Sequence, residues 1–134
     1  MEESLQSVVI ECTRASDEEQ KTFPVIIGAL SAAGVERYHA DLVKHEKTYY
    51  TAAGQSFVVE SRPCEEAPTQ VFHADQIEAA VRASQRQQIG YREFCRRVLQ
   101  AGCAGYWVSI TGQRAVYYGR TGETHVELFP TSTS

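Results

Sequence analysis

Two stretches of sequence, one in each half of the chain, decide the fold. Residues 33–60 read AGVERYHADLVKHEKTYYTAAGQSFVVE, and residues 101–128 read AGCAGYWVSITGQRAVYYGRTGETHVEL. When residues 22–60 are aligned with residues 90–128 without a gap, seven positions are identical. Chance alone gives about one identity in sixteen positions. Self-similarity at a fixed offset indicates a repeated structural unit.

The repeat predicts the fold class. We expect an α+β fold made of two tandem helix–helix–β-meander repeats, about 1–60 and 73–129, related by pseudo-twofold symmetry. Loop 61–72, which contains two prolines, would join them. A chain of 134 residues is the size of one ordinary domain. We therefore predict a single domain, 1–134, whose antiparallel sheet carries helices on one face.

Hydrophobic spacing and turn residues place the elements. Asp75 and Glu78 match a capping box at the start of a helix. Glycine permits the left-handed turn that ends a helix, so Gly34 and Gly102 mark two helix ends. The predicted helices are 4–15, 22–34, one that starts near residue 75, and 90–102. The predicted strands are 36–43, 47–51, 56–59, 105–111, 114–119 and 123–129.

Predicted hairpin turns set which side chains face the helices. A two-residue turn at Gly112-Gln113 places Val108 opposite Tyr117, and the first hairpin places Tyr50 opposite His39. Because side chains alternate along a strand, two faces follow. The inner, helix-covered face is predicted to carry Tyr38, Ala40, Leu42, Tyr49, Tyr106, Val108, Ile110, Ala115 and Tyr117, with Lys47 at its edge. The outer face is predicted to carry His39, Asp41, Thr48, Tyr50, Trp107, Ser109, Val116 and Tyr118.

Polar residues on the outer face are the first candidates for chemistry. His39 and Asp41 are two apart on a strand and therefore point the same way, with the phenol of Tyr50 beside them. A histidine oriented by a carboxylate is a general acid–base pair. Cross-strand polar pairs also occur on ordinary solvated sheet faces, so both interpretations stay open.

His125 and Glu127 form a second pair with the same spacing. With Tyr118 and Arg120 they could line a polar pocket. A two-residue turn at Thr121-Gly122 places the pair on the outer face, whereas a three-residue turn would reverse it. A solvated edge strand is the alternative interpretation.

The outer aromatic residues indicate an interface. Trp107, Val116 and Tyr118 predict an exposed apolar patch, and such patches tend to be interaction sites. We predict a binding or interaction module, a homodimer, with an unidentified small molecule or protein as ligand. The alternative is a small enzyme using His39/Asp41 or His125/Glu127 as acid–base groups. The predicted ligand-binding residues are His39, Asp41, Tyr50, Trp107, Tyr118, Arg120, His125 and Glu127.

Composition excludes several classes of protein. The net charge of −4 argues against nucleic acid as a partner, because phosphate binding favours a basic surface. No apolar run approaches the ~20 residues that span a bilayer, and the first residues do not form a signal peptide, so we predict a cytoplasmic protein without a membrane partner. The four cysteines form no metal-binding pattern, and we predict reduced, mostly buried thiols. We predict no metal and no cofactor.

Several motifs carry a resemblance to a known family. They are Gly34-Val35-Glu36-Arg37-Tyr38, Thr48-Tyr49-Tyr50, Gly102-Cys103-Ala104-Gly105-Tyr106, Ala115-Val116-Tyr117-Tyr118-Gly119-Arg120 and Gly122-Glu123-Thr124-His125-Val126-Glu127. Together they resemble the YbcV-like family of uncharacterised bacterial and prophage proteins, often labelled "phage envelope protein". The resemblance covers nearly the whole chain and implies a bacterial or phage origin. No catalytic residues can be carried over from the family, and the label does not imply that the protein is a virion component.

Overall fold

A computed structural model describes residues 2–130. The fold is α+β, with four helices and one six-stranded sheet. The helices are α1 (Glu3–Asp17), α2 (Phe23–Ala32), α3 (Ala74–Gln85) and α4 (Tyr91–Gln100). The strands are β1 (Val35–Asp41), β2 (Glu46–Thr51), β3 (Ser56–Glu60), β4 (Cys103–Ser109), β5 (Arg114–Gly119) and β6 (Thr124–Leu128). Along the chain, each pair of helices is followed by three strands.

The sheet is open and entirely antiparallel, with the strand order β3-β2-β1-β4-β5-β6. Strands β1 and β4 pair at its centre, from Arg37 opposite Ser109 to Asp41 opposite Gly105. Helices α2 and α4 pack against these central strands, while α1 and α3 pack against the edge strands β3 and β6. The helices therefore cover the inner face, and the outer face is left to solvent.

The core lies between the helices and the inner face. Two tyrosines tie the layers together by hydrogen bonds between hydroxyl groups: Tyr49 Oη is 2.7 Å from Thr13 Oγ1 on α1, and Tyr106 Oη is 2.7 Å from Tyr91 Oη on α4. Both strand tyrosines are buried. The predicted inner-face residues are buried, apart from Ile110, which is half-buried. Cys12, Cys95 and Cys103 are also buried and unpaired, as predicted.

In the β1–β2 and β4–β5 hairpins, the residue pairing across the strands differs from the predicted pairing by two residues. In the β4–β5 hairpin, Ser109 pairs with Arg114 and a four-residue turn lies between them. The Ser109 hydroxyl accepts a hydrogen bond from the Gly112 N–H at 2.8 Å, and Gln113 has a φ of 52°. The predicted two-residue turn at Gly112-Gln113 is therefore wrong, and Val108 pairs with Ala115 rather than with Tyr117.

The β1–β2 hairpin is displaced in the same way. His39 pairs with Thr48, not with Tyr50, and Asp41 pairs with Glu46. A slip of two residues changes each partner but keeps each side chain on the same face. The predicted assignment of residues in these two hairpins to inner and outer faces is consequently correct.

Strand β6 pairs with β5 through a three-residue turn, which is the alternative that turns its side chains to the opposite face. The N–H of Gly119 donates to the carbonyl oxygen of Glu123 at 2.8 Å, which leaves a three-residue turn. His125 pairs with Tyr117 and Glu127 with Ala115, so both predicted site residues face the helices. Their expected position on the outer face is wrong.

The start of α3 also differs from its prediction. The helix begins at Ala74, with His73 as the N-cap and no side-chain hydrogen bond to the cap. Asp75 lies inside the first turn, where its negative charge interacts favourably with the helix dipole. The predicted capping box of Asp75 and Glu78 is therefore absent from this helix start.

Candidate functional site: the outer face and a lysine cleft

The outer face is organised in three rows of side chains that run across all six strands. The central row is largely apolar, and three of its members are substantially exposed: Val58 (51%), Trp107 (37%) and Val126 (47%). The register defines this central row as Val58, Thr48, His39, Trp107, Val116 and Val126. Thr48 and His39 separate Val58 from Trp107 within this row. Exposed apolar side chains on an uncovered sheet face are typical of an interaction surface.

Charged residues flank the central row with opposite signs. On one side Arg37 and Arg114 lie in the row Ser56, Tyr50, Arg37, Ser109, Arg114 and Leu128, here called the basic row. On the other side, three carboxylates lie in the row Glu60, Glu46, Asp41, Gly105, Tyr118 and Thr124, here called the acidic row. Arg37 also pairs with Glu36, and Glu46 with Lys44 at 3.8 Å. The outer face therefore has arginines along one margin, a largely apolar middle and carboxylates along the other margin.

Four predicted site residues form an aromatic cluster at the centre of this face: His39, Tyr50, Trp107 and Tyr118. The His39 ring lies 4.7 Å from the Trp107 ring and stacks on the Tyr118 ring at 5.7 Å. The Tyr50 ring lies 5.9 Å from that of Trp107, and the Arg37 guanidinium lies 4.4 Å above Tyr50. Mutual packing restricts these rings, which lowers the entropy cost of binding a partner.

Tyr118 reaches His39 because residue 105 is glycine. A Cβ at Gly105 would lie 2.3 Å from Tyr118 Oη and 2.7 Å from the Ala40 carbonyl oxygen. With that space free, Tyr118 Oη lies 2.6 Å from His39 Nε2, within hydrogen-bond distance. The glycine thus determines the shape of the aromatic cluster.

Burial keeps both members of this hydrogen bond neutral. Desolvation lowers the pKa of His39, against the opposing effect of the Asp41 charge. Desolvation also raises the pKa of Tyr118 to about 12. A neutral imidazole beside a neutral phenol suits recognition by hydrogen bonding and stacking.

The expected pairing of His39 with Asp41 is not formed. One oxygen of the Asp41 carboxylate accepts hydrogen bonds from the N–H groups of Val43 and Lys44, both at 2.9 Å. It therefore closes the β1–β2 turn, while His39 has Tyr118 as its partner. Catalysis by this pair has no geometric support.

The second predicted pair is brought together, but inside the fold. His125 Nε2 lies 2.7 Å from Glu127 Oε1, and the Arg82 guanidinium on α3 donates to Glu127 Oε2 at 3.0 Å. Both oxygens of the buried carboxylate are thus engaged. Arg120 lies exposed in the β5–β6 turn, so the predicted pocket of Tyr118, Arg120, His125 and Glu127 does not form.

Sequence reasoning missed a cleft at one end of the molecule. It has a volume of about 460 Å³ and lies between the β1–β2 turn, the segment after β3 and the start of α4. Its lining includes Lys47, Asp17, Cys64, Tyr91 and Cys95. Lys47 is 96% buried, because only 4% of its surface is exposed. The sequence did contain one signal for this cleft: strand alternation places the side chain of Lys47 on the inner face, where a lysine is unusual.

The chemistry of the cleft is set by burial. Desolvation lowers the pKa of Lys47 and raises that of Cys95 to about 11. The Tyr91 hydroxyl is hydrogen-bonded to Tyr106, and burial raises the Tyr91 pKa well above its usual value. The Cys95 thiol and the Tyr91 phenol stay protonated near neutral pH. Among Lys47, Tyr91 and Cys95, only Lys47 can therefore bring a charge to the base of the cleft.

Fold and surface together define a small α+β domain with an exposed sheet face and an end cleft. A model of a protein family of unknown function, DUF1398, matches residues 67–127. That range covers α3, α4, β4, β5 and most of β6. Among curated proteins, none matches the chain. The helices of residues 2–130 are too short or too polar to cross a membrane.

Proposed function

We propose that this chain is a binding domain that associates through its outer face, first with a second copy of itself. The observation that carries the proposal is the exposed apolar central row on a face that no helix of residues 2–130 covers. Burying Val58, Trp107 and Val126 together would remove three exposed apolar side chains from water, and burial of apolar surface is the main favourable term in association.

The charged rows favour a homodimer over an arbitrary apolar partner. A twofold axis along the central row sets each basic row above the acidic row of the other copy. Arg37 of one copy then faces Asp41 of the other, since both residues lie on β1. Sheets pack face to face about 10 Å apart, a gap that two long side chains can bridge. The same pattern of charge therefore complements itself.

Sedimentation velocity tests the dimer. At micromolar concentration we expect the mass of two chains. Arg37→Glu sets like charges against the acidic row and should raise the dimer Kd about tenfold or more. Adding Glu46→Arg to that variant should recover most of the affinity. Arg86→Glu, at an exposed position next to α3, is the matched control and should leave the Kd unchanged.

Two results would refute this arrangement. A one-chain mass for the wild-type protein at micromolar concentration would refute the dimer. A dimer that tolerates Arg37→Glu as well as it tolerates Arg86→Glu would place the interface on another surface. Circular dichroism of each variant separates loss of association from loss of fold.

The duplicated architecture also belongs to this proposal. Left-handed backbone occurs at pairs of positions with the 68-residue offset that the identities share: Glu19 and Gln87, Gly34 and Gly102, His45 and Gln113, and Gly54 and Gly122. The helix–helix–strand order supports the same interpretation. We propose that two repeats, about 1–60 and 73–129, form one domain with pseudo-twofold symmetry. Membership of the YbcV-like family and a cytoplasmic location stay predictions.

A further inference from the structure

Lys47 is a buried cation without a counter-charge in direct contact. Within residues 2–130, no carboxylate lies at ion-pair distance from its Nζ, and no side chain or backbone group forms a hydrogen bond with it. No side-chain nitrogen or oxygen of these residues is both fully buried and without a hydrogen-bond partner, so the small exposed part of Lys47 includes Nζ, where the side chain lines the cleft. Its near neighbours are rings: Nζ lies 4.5 Å from the centre of the Tyr91 ring and 5.8 Å from that of Tyr38. Ring faces attract an ammonium group, but they do not replace the hydrogen bonds that water supplied.

The nearest acidic group from the helices is already occupied. The two oxygens of Asp17 accept hydrogen bonds from the Ser61 hydroxyl and the Arg62 N–H, both at 2.9 Å. Asp17 therefore acts on Lys47 only at longer range. A buried charge is normally paired or hydrogen-bonded, so an incoming anion would supply what the fold leaves out.

The cleft gives such an anion room and access. Its volume of about 460 Å³ lies within the range of small-molecule sites. Lys47 lies among its lining residues, together with the aromatic ring of Tyr91 and the thiols of Cys64 and Cys95. A ligand would thus meet an apolar wall with a single positive group at the base.

The rim restricts the charge of the ligand. Seven acidic residues line the cleft against four basic residues, so a ligand with several negative charges would be repelled. Two ion pairs cancel within the lining, because Arg96 contacts Glu93 and Arg92 contacts Glu19 at 3.7 Å. Five acidic residues then remain against Lys47 and Arg62. The rim favours a ligand whose outer end is neutral or positive.

We propose that this cleft binds a small monocarboxylate, or a zwitterion such as an ω-amino acid, whose carboxylate pairs with Lys47 Nζ. The apolar part of the ligand then packs on Tyr91, and any amino group lies at the acidic rim. The cleft shares Asp41 and Glu46 with the acidic row of the outer face. The two proposals can still fail independently, because this one is tested at Lys47 on the inner face and the dimer is tested first at Arg37.

Lysine NMR tests the site directly, because the chain contains three lysines. In protein labelled with ¹³C at lysine, each ε-methylene gives one signal, and Lys21 and Lys44 are exposed internal references. Butyrate and 4-aminobutyrate should shift the Lys47 signal saturably, with 4-aminobutyrate binding more tightly. Succinate, which carries a second negative charge, should bind more weakly. A bound carboxylate should also raise the pH at which the Lys47 signal titrates.

Two variants complete the test. Lys47→Met keeps the length of the side chain and should abolish the stabilisation that 4-aminobutyrate gives in thermal unfolding. Lys44→Met, its exposed neighbour, should keep that stabilisation. The proposal is overturned if the Lys47 signal does not move, if all three lysines shift equally, or if Lys47→Met keeps the stabilisation. It is also overturned if carboxylates have no effect while butyraldehyde with cyanoborohydride alkylates Lys47 selectively, because that result assigns a reactive amine instead.

Discussion

The two three-stranded halves of the sheet each bury one charged side chain, and they treat it differently. In β1–β3 the buried charge is Lys47, which pairs across the strands with Val59. In β4–β6 the buried charge is Glu127, which pairs across with Ala115. Lysine and alanine thus occupy corresponding places on β2 and β5, and valine and glutamate on β3 and β6.

The difference lies in how the charge is satisfied. Glu127 has Arg82 and His125 on its two oxygens, so the fold itself explains why a carboxylate is tolerated there. The ammonium group of Lys47 instead contacts the face of the Tyr91 ring, and its side chain lines the cleft. A buried charge whose partners the fold supplies is explained by the fold. One whose partners the fold does not supply needs another explanation, and the anion proposed for the cleft is the one we offer for Lys47.

The largest change in stability is expected from a tyrosine of the second half, compared with a tyrosine of the first half. Tyr117 is 94% buried, packing against Tyr106 and Phe94, while Tyr50 lies half-buried on the outer face. Tyr117→Ala should lower the free energy of unfolding by about 3–5 kcal/mol, as aromatic truncations in cores do. Tyr50→Ala should cost under about 1 kcal/mol. Urea denaturation at a concentration where the chain is monomeric measures both, and equal losses would contradict the assignment of faces.

Removing the satisfied charge should destabilise the second half. Glu127→Gln replaces the charge-assisted hydrogen bonds from Arg82 and His125 by weaker ones, and should cost about 1–3 kcal/mol. Glu78 contacts the same guanidinium from an exposed position, so Glu78→Gln is the matched control and should cost under about 0.5 kcal/mol. If the two variants lose the same stability, the buried carboxylate has no special role.

Removing the unsatisfied charge should act with the opposite sign. Lys47→Met keeps the bulk of the side chain and removes an ammonium group that is largely desolvated and has only ring faces as its contacts within the protein. The free energy of unfolding should therefore rise by about 1–3 kcal/mol. Urea denaturation without added carboxylates measures this gain. A loss of stability would mean that the contacts of Lys47 with the tyrosine rings outweigh its desolvation.

The sequence predicts the fold better than the sites, for a reason that particular residues make clear. In the β1–β2 and β4–β5 hairpins the predicted pairing differs from the observed pairing by two residues, an even number, so Tyr117 and Tyr50 are assigned to their correct faces. The turn before β6 differs by one residue, an odd number, and that moved His125 and Glu127 to the inner face. Turn length depends on contacts such as the Ser109 hydroxyl to the Gly112 N–H, which strand periodicity does not contain.

The candidate sites divide in the same way. Strand alternation alone places His39, Tyr50, Trp107 and Tyr118 together on one face, so the aromatic cluster is predictable. The Lys47 cleft is not, because it needs the positions of α4 and the segment after β3, which lie far away along the chain. The inner-facing lysine was visible, but its lack of a partner depends on Asp17 being held by Ser61.

The smallest expected effect is a pH dependence that separates the two buried charges. Burial lowers the pKa of Lys47 despite the charge of Asp17, and its other close neighbours are the neutral groups of Tyr38, Tyr91 and Cys95. Because the pKa of Lys47 is lower in the folded chain, Lys47 releases its proton there at a lower pH than in the unfolded chain, where its pKa is 10.5. Below the folded pKa the full desolvation cost is present, and stability is regained as the pH rises from that value toward 10.5.

The advantage of Lys47→Met over the wild-type protein should consequently shrink as the pH rises toward 10.5, the pKa of lysine in the unfolded chain. The buried tyrosines have raised pKa values, so they destabilise both proteins alike above about pH 10, where phenols of the unfolded chain ionise. The tyrosine contribution therefore cancels in the difference between the two proteins. Urea denaturation of both at a series of pH values measures that difference, with Lys44→Met expected to follow the wild type throughout. A difference that stays constant up to about pH 10 would mean that Lys47 keeps its proton in the fold, and the contrast with Glu127 would then lie in geometry alone.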